Sequence, residues 1–178
     1  MSDVKDNKKV KKVDHSTRAH ARLGASSSAQ WLACPGSIQM QEQYYDFNPD
    51  AAAEEDRSAA NEGEFAHEVA DWCIKNDISP LKPECKEHFA KINDCNYNLN
   101  EVIVNVERYF DYVGSVMQKA GSYDRYLEVR VDFSEWVTDG FGTLDLGFVS
   151  KDSMYVFDLK YGRWKVHAHE NTQLMLYA

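Results

Sequence analysis

The stretch Gly142-Thr-Leu-Asp-Leu-Gly-Phe-Val-Ser-Lys-Asp-Ser-Met-Tyr-Val-Phe-Asp-Leu-Lys-Tyr-Gly-Arg163 decides how this chain is read. Two apolar runs flank the polar tetrad Ser150-Lys151-Asp152-Ser153, the pattern of two antiparallel strands joined by a tight turn. Each run carries acid where a core residue is expected. Asp145 lies in the first, Asp158-Leu159-Lys160 closes the second, and twelve residues separate the two aspartates. A hairpin with this turn brings Asp145 and Asp158 side by side. Charges in a strand core are costly to bury unless they pair or hold a metal. Adjacent carboxylates repel, and a hard divalent cation with oxygen ligands relieves the repulsion. Such a cation can activate water and steady the charge that develops on a phosphate during hydrolysis.

The ordered set Gly142-Thr143-Leu144-Asp145, Asp158-Leu159-Lys160 and Gln173-Leu174-Met175-Leu176-Tyr177 resembles the PD-(D/E)XK nuclease superfamily. The likeness is to the exonuclease branch that includes the RecB nuclease domain and its phage-encoded relatives. Upstream, Glu62-Gly63-Glu64-Phe65-Ala66-His67-Glu68-Val69-Ala70-Asp71 resembles the helix pattern E-G-T-x-x-H-x-x-x-E of that branch, with Glu64 and Asp71 as departures. Trp31-Leu32-Ala33-Cys34-Pro35-Gly36-Ser37 looks like the N-terminal segment of the phage relatives. The likeness runs discontinuously from about Ser26 to the last residue and leaves Pro80 to Tyr123 largely unmatched.

The resemblance implies a restriction-endonuclease-like core, with helices on a small mixed sheet around a central antiparallel hairpin. It implies a metal-dependent deoxyribonuclease of phage type, an exonuclease in DNA recombination or processing, with one or two Mg²⁺ or Mn²⁺ ions. Asp145, Asp158, the Leu159 carbonyl and His67 are the expected metal ligands, and Lys160 the catalytic cation. Glu128 is either an active-site carboxylate or the solvent-facing member of an alternating strand. Gln173 and Tyr177 would support the lysine and contact DNA phosphate, unless they are merely one polar helix face. Arg163 is either a phosphate contact or a surface charge. The alternative is a catalytically silent nuclease-like module that binds DNA or a host nuclease. Some relatives hold an iron–sulfur cluster through one N-terminal and three later cysteines; Cys34 could be the first, but no later set follows, so no cluster is expected.

Composition sets the outer bounds. With 178 residues, 43% of them hydrophobic, the chain suits one packed domain, read as residues 23–178, with the continuation the resemblance would lead one to expect cut short after Tyr177. No segment approaches the roughly 18 consecutive apolar residues of a membrane helix, and the opening does not read as a signal peptide. A cytoplasmic protein is expected, in a bacterial host if phage-encoded, with DNA as partner and a second copy or a recombination protein as a further one. The four cysteines form no C-x-x-C pair and no zinc spacing, consistent with reduced thiols. The net charge of −9 opposes nucleic-acid binding in general. Residues 1–22 nevertheless hold seven Lys or Arg against three Asp, which leaves −13 on the remainder. This basic tail reads as disordered, either following a DNA backbone or simply solvated.

Periodicity supplies the other elements. Ser26 to Ser28 offer N-caps for a helix interrupted at Cys34-Pro35-Gly36, and Asp46 to Arg57 reads as an acidic loop. Ala66, Val69, Ala70 and Cys73 give an apolar face to a helix over about 59–75. Pro80 and Pro83 break the linker that follows. Val102, Val106, Tyr109, Phe110, Val113 and Met117 mark a long helix over 99–119 closed by Gly121. Strands are expected at about 126–133, 140–149 and 154–160, with a final helix from about 170. Helices, then a hairpin-rich sheet, then a helix make an α+β or mixed α/β domain.

Overall fold

The computed structural model describes residues 21–47, 58–162 and 165–178. Most of the basic tail, most of the acidic loop, and Arg163 and Trp164 lie outside the described residues. Arg22, placed in the tail by composition, belongs to the fold: its guanidinium grips Glu42 in a two-pronged pair of 2.7 and 2.8 Å.

A 3₁₀ turn at Ala25–Ser27 leads into α1 (Ser28–Ala33), and α2 (Ser37–Phe47) follows. The break between them falls at Cys34-Pro35-Gly36 as expected. Next come α3 (Ser58–Asn76), α4 (Pro83–Ile92) and α5 (Leu99–Ala120). Strands β1 (Asp124–Asp132), β2 (Phe141–Val149) and β3 (Met154–Phe157) precede α6 (Thr172–Tyr177). The chain is therefore mixed α and β, with six helices and one three-stranded antiparallel sheet among the described residues. None of the described helices is long and apolar enough to cross a membrane.

Helix α4 corrects the reading of Pro83 as a linker breaker. Proline at the first helical position lacks only an N–H that would be unbonded there anyway, so Pro83 starts the helix instead of ending one. Cys85 and Phe89, four apart, then bury against α3 and α5. Helix α5 is capped as its sequence requires. The Asn98 side chain accepts from the Glu101 N–H, and Gly121 takes φ 70° just past the end.

The sheet lies between two packed layers. On one face Leu146, Phe148 and Phe157 meet Ile74 of α3 and Val113 of α5. On the other, Leu144 packs with Ala25, Phe133 and Tyr177, with Val156 against the same group. Ser28 Oγ and Thr172 Oγ1, 2.6 Å apart, tie the start of α1 to the start of α6. The N-terminal segment and the last helix thus close one side of the sheet together.

Leu144 and Leu146, two apart in one strand, enter different clusters on different faces. A regular strand forbids this, because residues two apart share a face. The ladder breaks between them: β1 and β2 pair at Leu127↔Leu146 and Val129↔Leu144, with no pair between. At the break Glu128 has φ 50°, a left-handed conformation that glutamate seldom adopts. Asp145 sits at the same rung of β2.

Candidate active site

The β2–β3 turn has the predicted four residues. Ser150 N–H donates to the Ser153 carbonyl at 2.8 Å, and Ser153 N–H returns to Ser150 Oγ at 3.2 Å. This fixes the register as Val149↔Met154 through Leu146↔Phe157. One further step sets Asp145 opposite Asp158. On the other side Glu128 falls at the unpaired rung beside Asp145, between Leu127↔Leu146 and Val129↔Leu144, and its charge is felt by Asp145. Three carboxylates therefore stand abreast across three neighbouring segments, at the rung where the strands switch faces.

The ladder ends at Phe157, so Asp158, Leu159 and Lys160 lie just past β3 and not within it, as the expected strand to residue 160 had them. The reason is visible in the hydrogen bonds. Leu159 N–H donates to Asp145 Oδ2 at 2.9 Å, so a side chain replaces the carbonyl that would have continued the ladder. The expected role of Leu159 lay in its carbonyl; the contact observed uses its amide.

Each remaining group is held by a named partner. Lys160 Nζ lies 2.6 Å from Asp158 Oδ2, and Gln173 Nε2 of α6 donates to Asp158 Oδ1 at 2.7 Å. The Asp158 side chain is only 7% exposed, while that of Lys160 is 39% exposed and reaches solvent. From α3, His67 Nδ1 approaches Asp145 Oδ2 at 3.3 Å. His67 reaches the sheet because Ala66, Val69, Ala70 and Cys73 bury the adjoining side of the helix against α4 and α5. Tyr177, one turn after Gln173, is buried and packs over Gly142, where a Cβ would come within 2.5 Å of its hydroxyl. The structure thus brings together His67, Asp145, Asp158, Leu159, Lys160, Gln173 and Tyr177. Glu128 is exposed on its strand but shares the row; Arg163 lies outside the described residues.

Asp71 and Tyr109 were not among the expected site residues. Asp71, one turn after His67, is half-buried, and its carboxyl is pushed up to about 8. Desolvation is the chief cause, followed by the charge of Glu128 and a hydrogen bond shared with it. The i, i+4 spacing from His67 was the available signal. Tyr109 reads as core in the α5 periodicity. Burial raises its phenol, and the charges of Asp145, Asp71 and Asp158 push it further. Asp145 is itself pushed up to about 6 by burial, against the pull of His67 and with the push of Asp158.

Carboxylates, an imidazole and a main-chain carbonyl are the donors that Mg²⁺ and Mn²⁺ accept, so the residues suit such an ion in kind. In the arrangement observed, no three His, Cys, Asp or Glu among the described residues converge as a metal-holding group. Lys160 and Gln173 occupy both oxygens of Asp158, and His67 and Leu159 N–H meet the same oxygen of Asp145.

A family described as a protein of unknown function, DUF2800, matches residues 20–178. The chain belongs to the DUF2800 family. The match takes in every described element of this DUF2800 chain, from the 3₁₀ turn to α6. No solved structure matches it.

Proposed function

We propose that this protein is a metal-dependent deoxyribonuclease with a restriction-endonuclease-like core, hydrolysing phosphodiester bonds as a phage-type exonuclease in DNA recombination or processing. The observation that carries the reading is the hairpin register. It sets Asp145 opposite Asp158 with Lys160 Nζ 2.6 Å from the latter, on a chain whose ordered motifs resemble the PD-(D/E)XK superfamily. A structural role alone calls for no such row, because three carboxylates abreast oppose folding.

Asp145, Asp158 and His67, with the Leu159 carbonyl, would hold Mg²⁺ or Mn²⁺. Bound there, the ion would supply charge stabilisation at the phosphate and lower the pKa of water. The chain's own groups do the rest. Gln173 holds one oxygen of Asp158 and fixes its plane. Leu159 N–H does the same for Asp145. Lys160, paired with Asp158 and partly open to solvent, places a cation where negative charge accumulates on the phosphate. Its amine can orient the attacking water or offset charge on the phosphate. Asp71 and Glu128, sharing a hydrogen bond, stand beside Asp145 as a neighbouring acid pair.

A second reading, a silent module that binds DNA or a protein, draws on one observation: Asp158 is fully engaged by Lys160 and Gln173. One experiment separates the two. End-labelled linear, nicked and circular DNA are incubated with Mg²⁺ or Mn²⁺. Shortening of linear DNA from its ends is expected. Bound but intact DNA under both metals would remove the enzyme reading.

A further inference from the structure

Two cavities share residues with the candidate site, one Leu159 and Lys160, the other Gln173 and Tyr177. One, of about 460 Å³, is lined by Glu62 and Glu101 beside Lys160 and Tyr161. Two acids and a lysine in its lining leave it no neutral space for an uncharged group. The other, of about 560 Å³, lies between the 3₁₀ turn, α2, the start of β2 and α6. Ala25, Ile38 and Phe141 supply apolar wall, and Ser26, Gln41 and Thr143 supply polar groups. Among the described residues its charged lining is Arg22 and Glu42, which neutralise each other through their two-pronged pair. This cavity is therefore an electrically neutral space in a chain of net charge −9. Its volume falls within the range of small-molecule sites, and apolar walls with a few polar groups are what such sites use.

The cavity also shares a wall with the candidate active site. Gln173 lines it and at the same time donates to Asp158 Oδ1 at 2.7 Å. Resting on the nuclease reading, we propose that this cavity takes the base of a single, unpaired deoxyribonucleotide next to the scissile phosphate. The neutral walls suit an uncharged base, and Lys160 on the other side of Asp158 suits the phosphate. A base can enter only if it is free of its partner strand, as in other enzymes that work on an extruded or single-stranded nucleotide. The substrate is accordingly single-stranded DNA or a frayed duplex end.

The test is binding without turnover. A labelled single-stranded oligonucleotide is titrated with the full chain in EDTA, followed by fluorescence anisotropy, with one abasic position moved along the strand. Loss of a stacked base typically costs on the order of tenfold in affinity, so one position should show about that loss. Gln41→Trp and Ser26→Trp, both at exposed positions lining the cavity, should bind the intact strand about as weakly as wild type binds the abasic one. Circular dichroism confirms their folding, and the abasic series leaves the protein untouched. A flat abasic profile, wild-type affinity in both folded variants, or no binding of DNA by wild type overturns the inference. Digestion with Mg²⁺ or Mn²⁺ is scored separately. Base-dependent binding without cleavage would sink the enzyme reading and leave the cavity assignment standing; cleavage with a flat profile would do the reverse.

Discussion

At the scale of single residues, the site is a contest for carboxylate oxygens. Asp145 Oδ2 receives both Leu159 N–H and His67, while Asp158 divides its oxygens between Lys160 and Gln173. Lys160→Ala removes the cation paired with Asp158 and leaves both aspartates in place. Losing a preorganised charge at the transition state costs on the order of 10²–10³-fold in rate, with much less effect on uniform binding. The variant should therefore bind DNA and metal and cut far more slowly, as single-turnover assays beside calorimetry would reveal. Asp158→Ala should lose metal and cleavage together. His67→Ala removes a nitrogen donor from a half-exposed helix position without emptying the core. Its Mg²⁺ or Mn²⁺ affinity should fall on the order of tenfold or more with little change in thermal midpoint. Unchanged affinity by calorimetry would leave His67 only a structural partner of Asp145.

At the scale of elements, the β2–β3 hairpin and α6 act as one unit. Gly142 is where they touch: an added Cβ would come within 2.5 Å of the Tyr177 hydroxyl and 3.0 Å of Ala25 Cβ. Gly142→Ala must push Tyr177 and its helix outward. Overpacking of this kind costs about 1–3 kcal/mol. The same shift would draw Gln173 from Asp158, so activity should drop along with the urea midpoint; a variant as stable and active as wild type would deny the coupling. The hairpin itself was legible in the sequence, because two apolar runs flank the polar tetrad Ser150 to Ser153 and a four-residue turn sets one register. Helices α3 and α5 were legible for a similar reason, each having a continuous apolar face. Helix α4 was not, since Pro83 signals a break and a helix start alike. Nor was the face switch at Glu128 and Asp145, which depends on contacts with two separate layers and leaves the local pattern of β1 unchanged. Asp71 was half-legible. Its spacing from His67 was plain, but the hydrogen bond with Glu128 comes from another element.

At the scale of the whole molecule, the fold gathers Asp71, Glu128, Asp145 and Asp158 between α3 and the sheet of an already acidic protein. This has a defined consequence for stability. Asp71 is pushed up to about 8 and Asp145 to about 6, both above the ordinary 3.8 of the unfolded chain. Between about pH 4 and pH 8 the folded state thus holds more protons than the unfolded state. The free energy of unfolding falls with pH wherever that is so. Below this window both states are protonated and the penalty vanishes; above it the full cost of burying the charged carboxylates, with their mutual repulsion, is felt. In the presence of a chelator, the urea midpoint should be higher at pH 5 than at pH 8. A divalent ion that binds these carboxylates competes with the protons, and it stabilises the folded state by mass action. Millimolar Mg²⁺ or Mn²⁺ should therefore raise the midpoint more at pH 8 than at pH 5, and Asp145→Asn should reduce both the pH dependence and the metal effect. A midpoint that stays level from pH 5 to pH 8, or a metal effect equal at the two, would mean that the row does not carry this linkage. Acid and metal relieve the same cost of buried, mutually repelling charge by different means, so the two effects should rise and fall together across the variants.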